Sequence, residues 1–339
     1  MKRPMRMALL TLLSLIAIAA GVALGSTYIA PETQLAVLAN RIFGTALPEG
    51  IPSVTPSILW NLRFPRALMA FAVGASLAAS GTVMQSVLRN PLASSYTLGV
   101  SSGASLLAAL VIVSGFNALG RYTLPVFGFI GGLGTVFLAM SLALRFDRSL
   151  ENQTVILVGM VLSLFVNALL TLVTAMAADR LARLIYWQMG SFAGATWANV
   201  GTQFSVLVVG TILLIALARE MDLMTFGEEQ ALSAGVELKR VKLLLIAVSA
   251  LLTGSAVAFV GVIGFVDLIA PHVMRRFFGS NHRAVVPASA LFGGLMMVLA
   301  DLASRTVLAP QELPVGAVTA IIGAPFFAYI YFHGKRGGA

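Results

Sequence analysis

The chain has 339 residues, 58% of them hydrophobic and only 10% charged, with a mean hydropathy of +0.94. A soluble domain carries about 25% charged residues, so this balance excludes an ordinary water-soluble enzyme and points to a membrane protein. The net charge of +9 sits in short Lys/Arg clusters between apolar stretches rather than on a basic face, which argues against nucleic-acid binding, and the absence of cysteine removes disulfides and thiolate metal sites.

In chain order, a basic start (Lys2, Arg3, Arg6) precedes an uncharged run from Met7 to Ala30. That run is longer than a signal-peptide core and reads as a first membrane span. Residues 30–62 are then expected as an external loop. Further apolar stretches lie at about 67–88, 92–113, 122–144, 153–176, 186–218, 243–264, 284–300 and 313–333. A shorter piece, Val266 to Phe278, holds Asp267 and Pro271 and reads as a short kinked span or a re-entrant segment.

Charge chooses between these. With ten alternating spans and a cytoplasmic N-terminus, fifteen basic residues fall inside: the first three, then Arg89, Arg145, Arg148, Arg219, Lys239, Arg240, Lys242, Arg275, Arg276, Arg283, Lys335 and Arg336. Seven stay outside: Arg41, Arg63, Arg66, Arg121, Arg180, Arg183 and Arg305. This bias satisfies the positive-inside rule, whereas nine spans would place a basic cluster outside. The expected fold is an all-α polytopic membrane protein, one transmembrane domain over 1–339, with about ten spans and both termini cytoplasmic.

No G-x-x-x-x-G-K-[ST] phosphate loop and no H-E-x-x-H occur, and the chain has only three histidines. Catalytic residues and metal ligands are therefore expected to be none. Asp267 and Asp301 lie near span ends, either as functional polar contacts or as interfacial positions. "GVSSG" (Gly99 to Gly103) fits the serine-nucleophile pattern, with His272 the one histidine placed to serve as base, but it reads better as a helix-packing G-x-x-x-G. Arg63, Arg66 and Arg305 stand at external span ends, either snorkelling or docking an acidic partner.

The most polar stretch is "TFGEEQALSAGVELKRVK", Thr225 to Lys242. Thr225 and Glu228 fit a capping box, Glu228 and Glu229 fall in the first turn, and Gly235 suits a left-handed stop. A helix of about seven to nine residues is too short to stand alone in water. Ala231, Ser233 and Ala234 suit a close partner, which is either its own bundle or a cytoplasmic subunit.

Four blocks, "LRFPRALMAFAVGASLAASGTVMQSVLRNPLASSYTLGVSSGAS", "GEEQALSAGV", "GVIGFVDLIAPHVMRRFFGSNHRAVVPASALFGGLMMVLAD" and "APQELPVGAVTAIIGAPFF", resemble FecCD-type permeases. These are the ABC importer subunits for iron-siderophores, haem and vitamin B12. The resemblance spans Leu62 to Phe327 and implies a type II importer permease, working by alternating access beside a second permease copy. It implies two cytoplasmic ATPase subunits, which bind the ATP and magnesium that this chain does not, and an external substrate-binding protein. In a bacterium the place is the inner membrane. By that resemblance Gly227, Glu228, Glu229, Ala231, Ala234 and Gly235 belong to the helix that couples to the ATPase, while Arg63, Arg66 and Arg305 meet glutamates of the binding protein. Asp267 departs from the glycine usual there, which leaves a pathway role and a local contact both open. The expected cargo is a ferric-siderophore or haem, with cobalamin as the alternative. An ion-coupled secondary transporter or an intramembrane serine protease would need paired mid-span acids or an active Ser101.

Overall fold

The computed structural model describes residues 2–25, 29–48, 50–147 and 149–336, and no strand occurs among them. The helices are α1 (Arg3–Ala23), α2 (Pro31–Phe43), α3 (Thr55–Ile58), α4 (Phe64–Val87), α5 (Val100–Ser114), α6 (Thr123–Phe146), α7 (Asn152–Ala175) and α8 (Leu181–Met189). They continue as α9 (Trp197–Ala216), α10 (Ala218–Phe226), α11 (Glu228–Ser233), α12 (Leu238–Val260), α13 (Val266–Phe278), α14 (His282–Thr306) and α15 (Val315–Arg336). Seven helical stretches among the described residues are long and apolar enough to cross a membrane, and α5 and the apolar part of α15 are two shorter ones. With the thirteen-residue α13 they make ten spans, the number the charge pattern requires. Arg148 and the side chains of Lys335 and Arg336, three of the inside charges, lie outside the described residues.

Three sequence boundaries need correction. Residues 30–62 are not an open loop: α2 occupies Pro31–Phe43, and α3 runs through a π-helical turn, Leu59–Arg63, into α4. The signals were local, with Pro31 in the first turn and Gly44 in the left-handed conformation at the end (φ 70°). The long apolar stretch 186–218 is broken; α8 ends before Gly190, and the span α9 starts only at Trp197, capped by the Thr196 hydroxyl. Likewise the third span starts at Val100, because Asn90-Pro91 and a 3₁₀ turn, Ser95–Leu98, use up the residues before it.

Helix α4 is the axis of the fold. From Ala72 to Val87 every residue is buried, and α14, α12, α13 and α9 pack around it. In lipid there is little hydrophobic drive between helices, so close backbone approach must supply the contact. A methyl group built on Gly74 would lie 2.2 Å from the Gly293 carbonyl oxygen, and one on Gly293 2.4 Å from Ala78 Cβ. Backbones this close admit no side chain, and overpacking there costs roughly 1–3 kcal/mol.

The outer helices are built the opposite way. Along α7, Leu157, Met160, Val161, Leu164 and Phe165 form an exposed apolar stripe at helical spacing. In water such a stripe would be an aggregation site, whereas a bilayer or a neighbouring membrane helix satisfies it.

Candidate functional site

Two clusters of buried charge mark the ends of the bundle. At one end lie the start of α1, the ends of α4, α6 and α13, and the starts of α7, α12 and α14, which Arg6, Lys242, Arg275 and His282 tie together. This is the end that the charge bias puts inside.

The polar stretch folds here as two helices. Thr225 belongs to α10, and its hydroxyl donates to the Asp222 carbonyl (2.6 Å). It caps nothing, so the expected capping box does not form. Gly227 is the N-cap of α11, at φ 136° and ψ 152°. A side chain there is strained by φ and would collide with the Gln230 side chain folded back over it. The helix is only six residues long; Ala234 is its C-cap and Gly235 turns left-handed at φ 84°.

What holds so short a helix is a buried lysine. Lys242 of α12 is 1% exposed, and its Nζ donates to Glu228 Oε1 (2.8 Å), to the Leu150 carbonyl (2.9 Å) and to Asn152 Oδ1 (3.1 Å). All three ammonium protons therefore have partners, which is what a buried cation requires. The Leu150 carbonyl is aimed by an unusual backbone, φ 56° at a non-glycine residue. The turn before it is tied by Asp147, which accepts from the Ser149 hydroxyl and from the Ser149 and Glu151 amides. These bonds, the Ser149 hydroxyl first, hold the Asp147 carboxyl below the usual range.

This sorts the expected contact residues. Glu228 turns inward to Lys242, and Gly227 and Ala231 are buried against the bundle. Glu229, Gln230, Ser233, Ala234 and Gly235 face out. So do two large apolar side chains that the sequence pattern missed, Phe226 at 75% and Leu232 at 56% exposure. Their signal was present: both are apolar residues inside the most polar stretch of the chain.

At the opposite end, the helix termini explain the arginines. The last four carbonyls of a helix have no intrahelical donor. At the end of α1, the Ala20 carbonyl takes the Leu24 amide, Gly21 takes Arg305 Nη2, and Val22 (3.0 Å) and Ala23 (2.9 Å) take Arg63 Nη1. Each guanidinium also sits at the negative pole of the helix dipole. Arg180 does the same for α5, donating to the Ile112 (3.0 Å) and Val113 (2.9 Å) carbonyls.

Arg63 and Arg305 are thus buried within the fold rather than displayed at a rim. Arg66 lies between two acids: Nε is 2.9 Å from Asp301 Oδ1, and its two terminal nitrogens meet Glu312 at 2.8 and 3.0 Å. Asp301, 1% exposed, also lies 3.2 Å from Arg305 Nε. It is thus a buried counter-charge to both arginines. Asp267 is buried at the start of α13, and its Oδ2 has no hydrogen-bond partner among the described residues.

The G-x-S-x-G pattern is resolved as packing. A methyl group on Gly103 would lie 2.3 Å from the Gly131 carbonyl oxygen, so the motif seats α5 on α6. The Ser102 hydroxyl is turned back to the Gly99 carbonyl, and no hydrogen bond joins Ser101 to His272 among the described residues. No group of three or more His, Cys, Asp or Glu occurs among the described residues.

Comparison with known proteins agrees with this architecture. Residues 11–333 match the family model described as the FecCD transport family. The chain is 39% identical over 325 residues to the uncharacterized ABC transporter permease protein YvrB of Bacillus subtilis, covering 95% of this chain and 92% of that one. It is 38% identical to the hemin transport system permease protein HmuU of Yersinia pestis, over 80% of this chain and 82% of the relative. Further matches carry names for cobalamin, ferric dicitrate and molybdate import. The fold superposes on the solved inward-facing conformation of a metal-chelate type ABC transporter with a TM-score of 0.85 and 30% identity, covering 97% of this chain and 99% of that one.

Proposed function

The chain belongs to the FecCD transport family, and on that premise we propose that it is the membrane subunit of an ATP-driven importer of a ferric-siderophore or haem. It works in the inner membrane beside a second permease copy, with two cytoplasmic ATPase subunits and an external binding protein. The observation that carries this reading is α11. A six-residue helix locked to the bundle by a buried lysine, presenting Glu229, Gln230 and Leu232 outward beside Phe226 at the end of α10, is a built contact surface. Its exposed apolar pair suits a protein groove, and a seat for an ATPase accounts for the missing phosphate loop.

At the outer end the binding protein docks over Arg66. Glu312, whose side chain is 43% exposed, is the partner that a glutamate of the binding protein replaces on the guanidinium. Arg63 and Arg305 lie beneath and hold the end of α1 in place. The apolar stripe of α7 is available to the second permease copy.

The test is co-purification with the ATPase and uptake after reconstitution with the binding protein. Leu232→Arg with Phe226→Ser is expected to reduce ATPase association at least tenfold while the permease melts at the parental temperature. Association equal to the parent would refute the α11 assignment. Labelled haem, a ferric-siderophore and cobalamin, offered in competition, identify the cargo. Cobalamin is the second reading, because the cobalamin permease relative from Halobacterium salinarum is also 38% identical; preferential cobalamin uptake would replace the iron-chelate assignment with it.

A further inference from the structure

Behind α11 a second polar connection leaves the inner segment by a different route. Asp222 of α10 accepts two hydrogen bonds on one oxygen, from the His282 backbone amide (3.0 Å) and from His282 Nδ1 (2.6 Å). The other imidazole nitrogen lies 2.6 Å from Ser86 Oγ of α4. Ser86 also accepts from Arg275 Nη2 of α13 (2.8 Å), which reaches the Thr82 carbonyl as well (3.0 Å). The other terminal nitrogen of Arg275 donates to Gln85 Oε1 (2.7 Å). The Gln85 amide nitrogen then donates to the Asp267 and Leu268 carbonyls (3.4 and 3.3 Å), at the far end of α13.

Four helices, α10, α14, α4 and α13, are joined in this way by directional contacts. Ser86, Gln85 and His282 are buried, while Asp222 and Arg275 are partly exposed. Met221 and Met224 of α10 are buried beside Asp222, and such apolar contact is non-directional. The polar chain is directional. Parting Asp222 from His282 strands a buried imidazole and amide without an acceptor, which the interior penalises. A displacement of α10 is therefore passed on rather than absorbed, first to the start of α14, then to α4, and through Arg275 and Gln85 to both ends of α13.

We propose that Asp222, His282, Ser86, Arg275 and Gln85 form the link that carries movement of the α10–α11 segment into α13. His282 is the positioning residue at its centre. The link rests on the coupling role of α11 proposed above, and it separates that role into two exits. Lys242 fixes α11 to α12 and to the α6–α7 turn, while Asp222 drives α13 and α4.

The absence of cysteine makes the test direct, because paired spin labels go on introduced cysteines alone. In the assembled transporter, one distance runs from Leu35→Cys on α2, away from both polar routes, to Ser233→Cys on α11 and a second from Leu35→Cys to Phe277→Cys on α13. All three positions are exposed. Trapping with ATP and vanadate is expected to shift both distances in the parent. In His282→Ala the Ser233 shift persists and the Phe277 shift falls at least fourfold. Asp222→Ala behaves in the same way, and Asp222→Asn, which keeps an acceptor oxygen, restores the Phe277 shift. A role confined to stability would lower the melting temperature without separating the two distances or distinguishing Asn from Ala.

A parental Phe277 shift in Asp222→Ala overturns the link while leaving the coupling role of α11 intact. Absence of any ATP response at Ser233 in the parent overturns the coupling role, and the link with it. If His282→Ala fails to assemble, the Asp222→Ala and Asp222→Asn pair at the helix surface decides between the same outcomes.

Discussion

The two ends of the bundle use the same chemistry, buried cations bonded to helix-end carbonyls and carboxylates, for opposite purposes. At the outer end most of the bonds stay in the core: Arg63 and Arg305 finish α1, and Arg66 and Asp301 tie α4 to α14, with Glu312 on the surface side of Arg66. At the inner end they lead outward, from the core to a short helix with an exposed face. The difference teaches that the same buried pairing finishes a helix end within the core at one end and anchors a surface helix at the other.

The comparison breaks most visibly at Asp301. Asp301→Ala leaves Arg66 with only Glu312 and Arg305 without its acid, inside the bundle. Removing one partner of a buried pair costs about 3–5 kcal/mol. The expected outcome is a large fall in melting temperature and in yield of assembled protein, and a melting temperature within a degree of the parent would show the outer cluster to be dispensable.

Lys242→Met tests the inner end. The Glu228 carboxylate, at 31% exposure, then gains water, but the buried Leu150 carbonyl and the Asn152 amide oxygen lose a donor. A loss of roughly 2–3 kcal/mol is expected, smaller than at Asp301 because one partner is resolvated. Amide exchange is expected to rise through Glu228–Ser233 and stay unchanged in α4. Uniform exchange across both helices would contradict the local clamp.

Thr225→Ala gives the smallest effect and the sharpest distinction. A true N-cap hydroxyl is worth about 1 kcal/mol. The hydroxyl here bonds back to Asp222 within α10, so the substitution is expected to change stability by less than ~0.5 kcal/mol. A loss of a full kcal/mol would restore the capping box.

Much of this was legible in the chain. Apolar run length and Lys/Arg placement fix ten spans because backbone groups in lipid must be satisfied within a helix. The four sequence blocks carried the family. The helix α2 was also legible, since Pro31 and Gly44 bracket it, yet the polar composition between spans reads first as a loop. Phe226 and Leu232 were hidden in a different way. An apolar residue in a polar segment faces either direction until the register of its helix is known, and Gly227 sets that register by a backbone angle that no pattern records.

The sequence by itself determined that this is an all-helical membrane protein, how its spans alternate, and where its polar inner segment falls. Those properties follow from transfer of apolar surface and from charge bias, which act residue by residue. Only the tertiary structure decided which charges look outward. Arg63 and Arg305 have the composition of docking residues, and Glu228 that of a contact residue, but all three turn inward because a helix end or a buried ammonium needs a partner there. That need is set by groups far away in the chain, so no local pattern could state it.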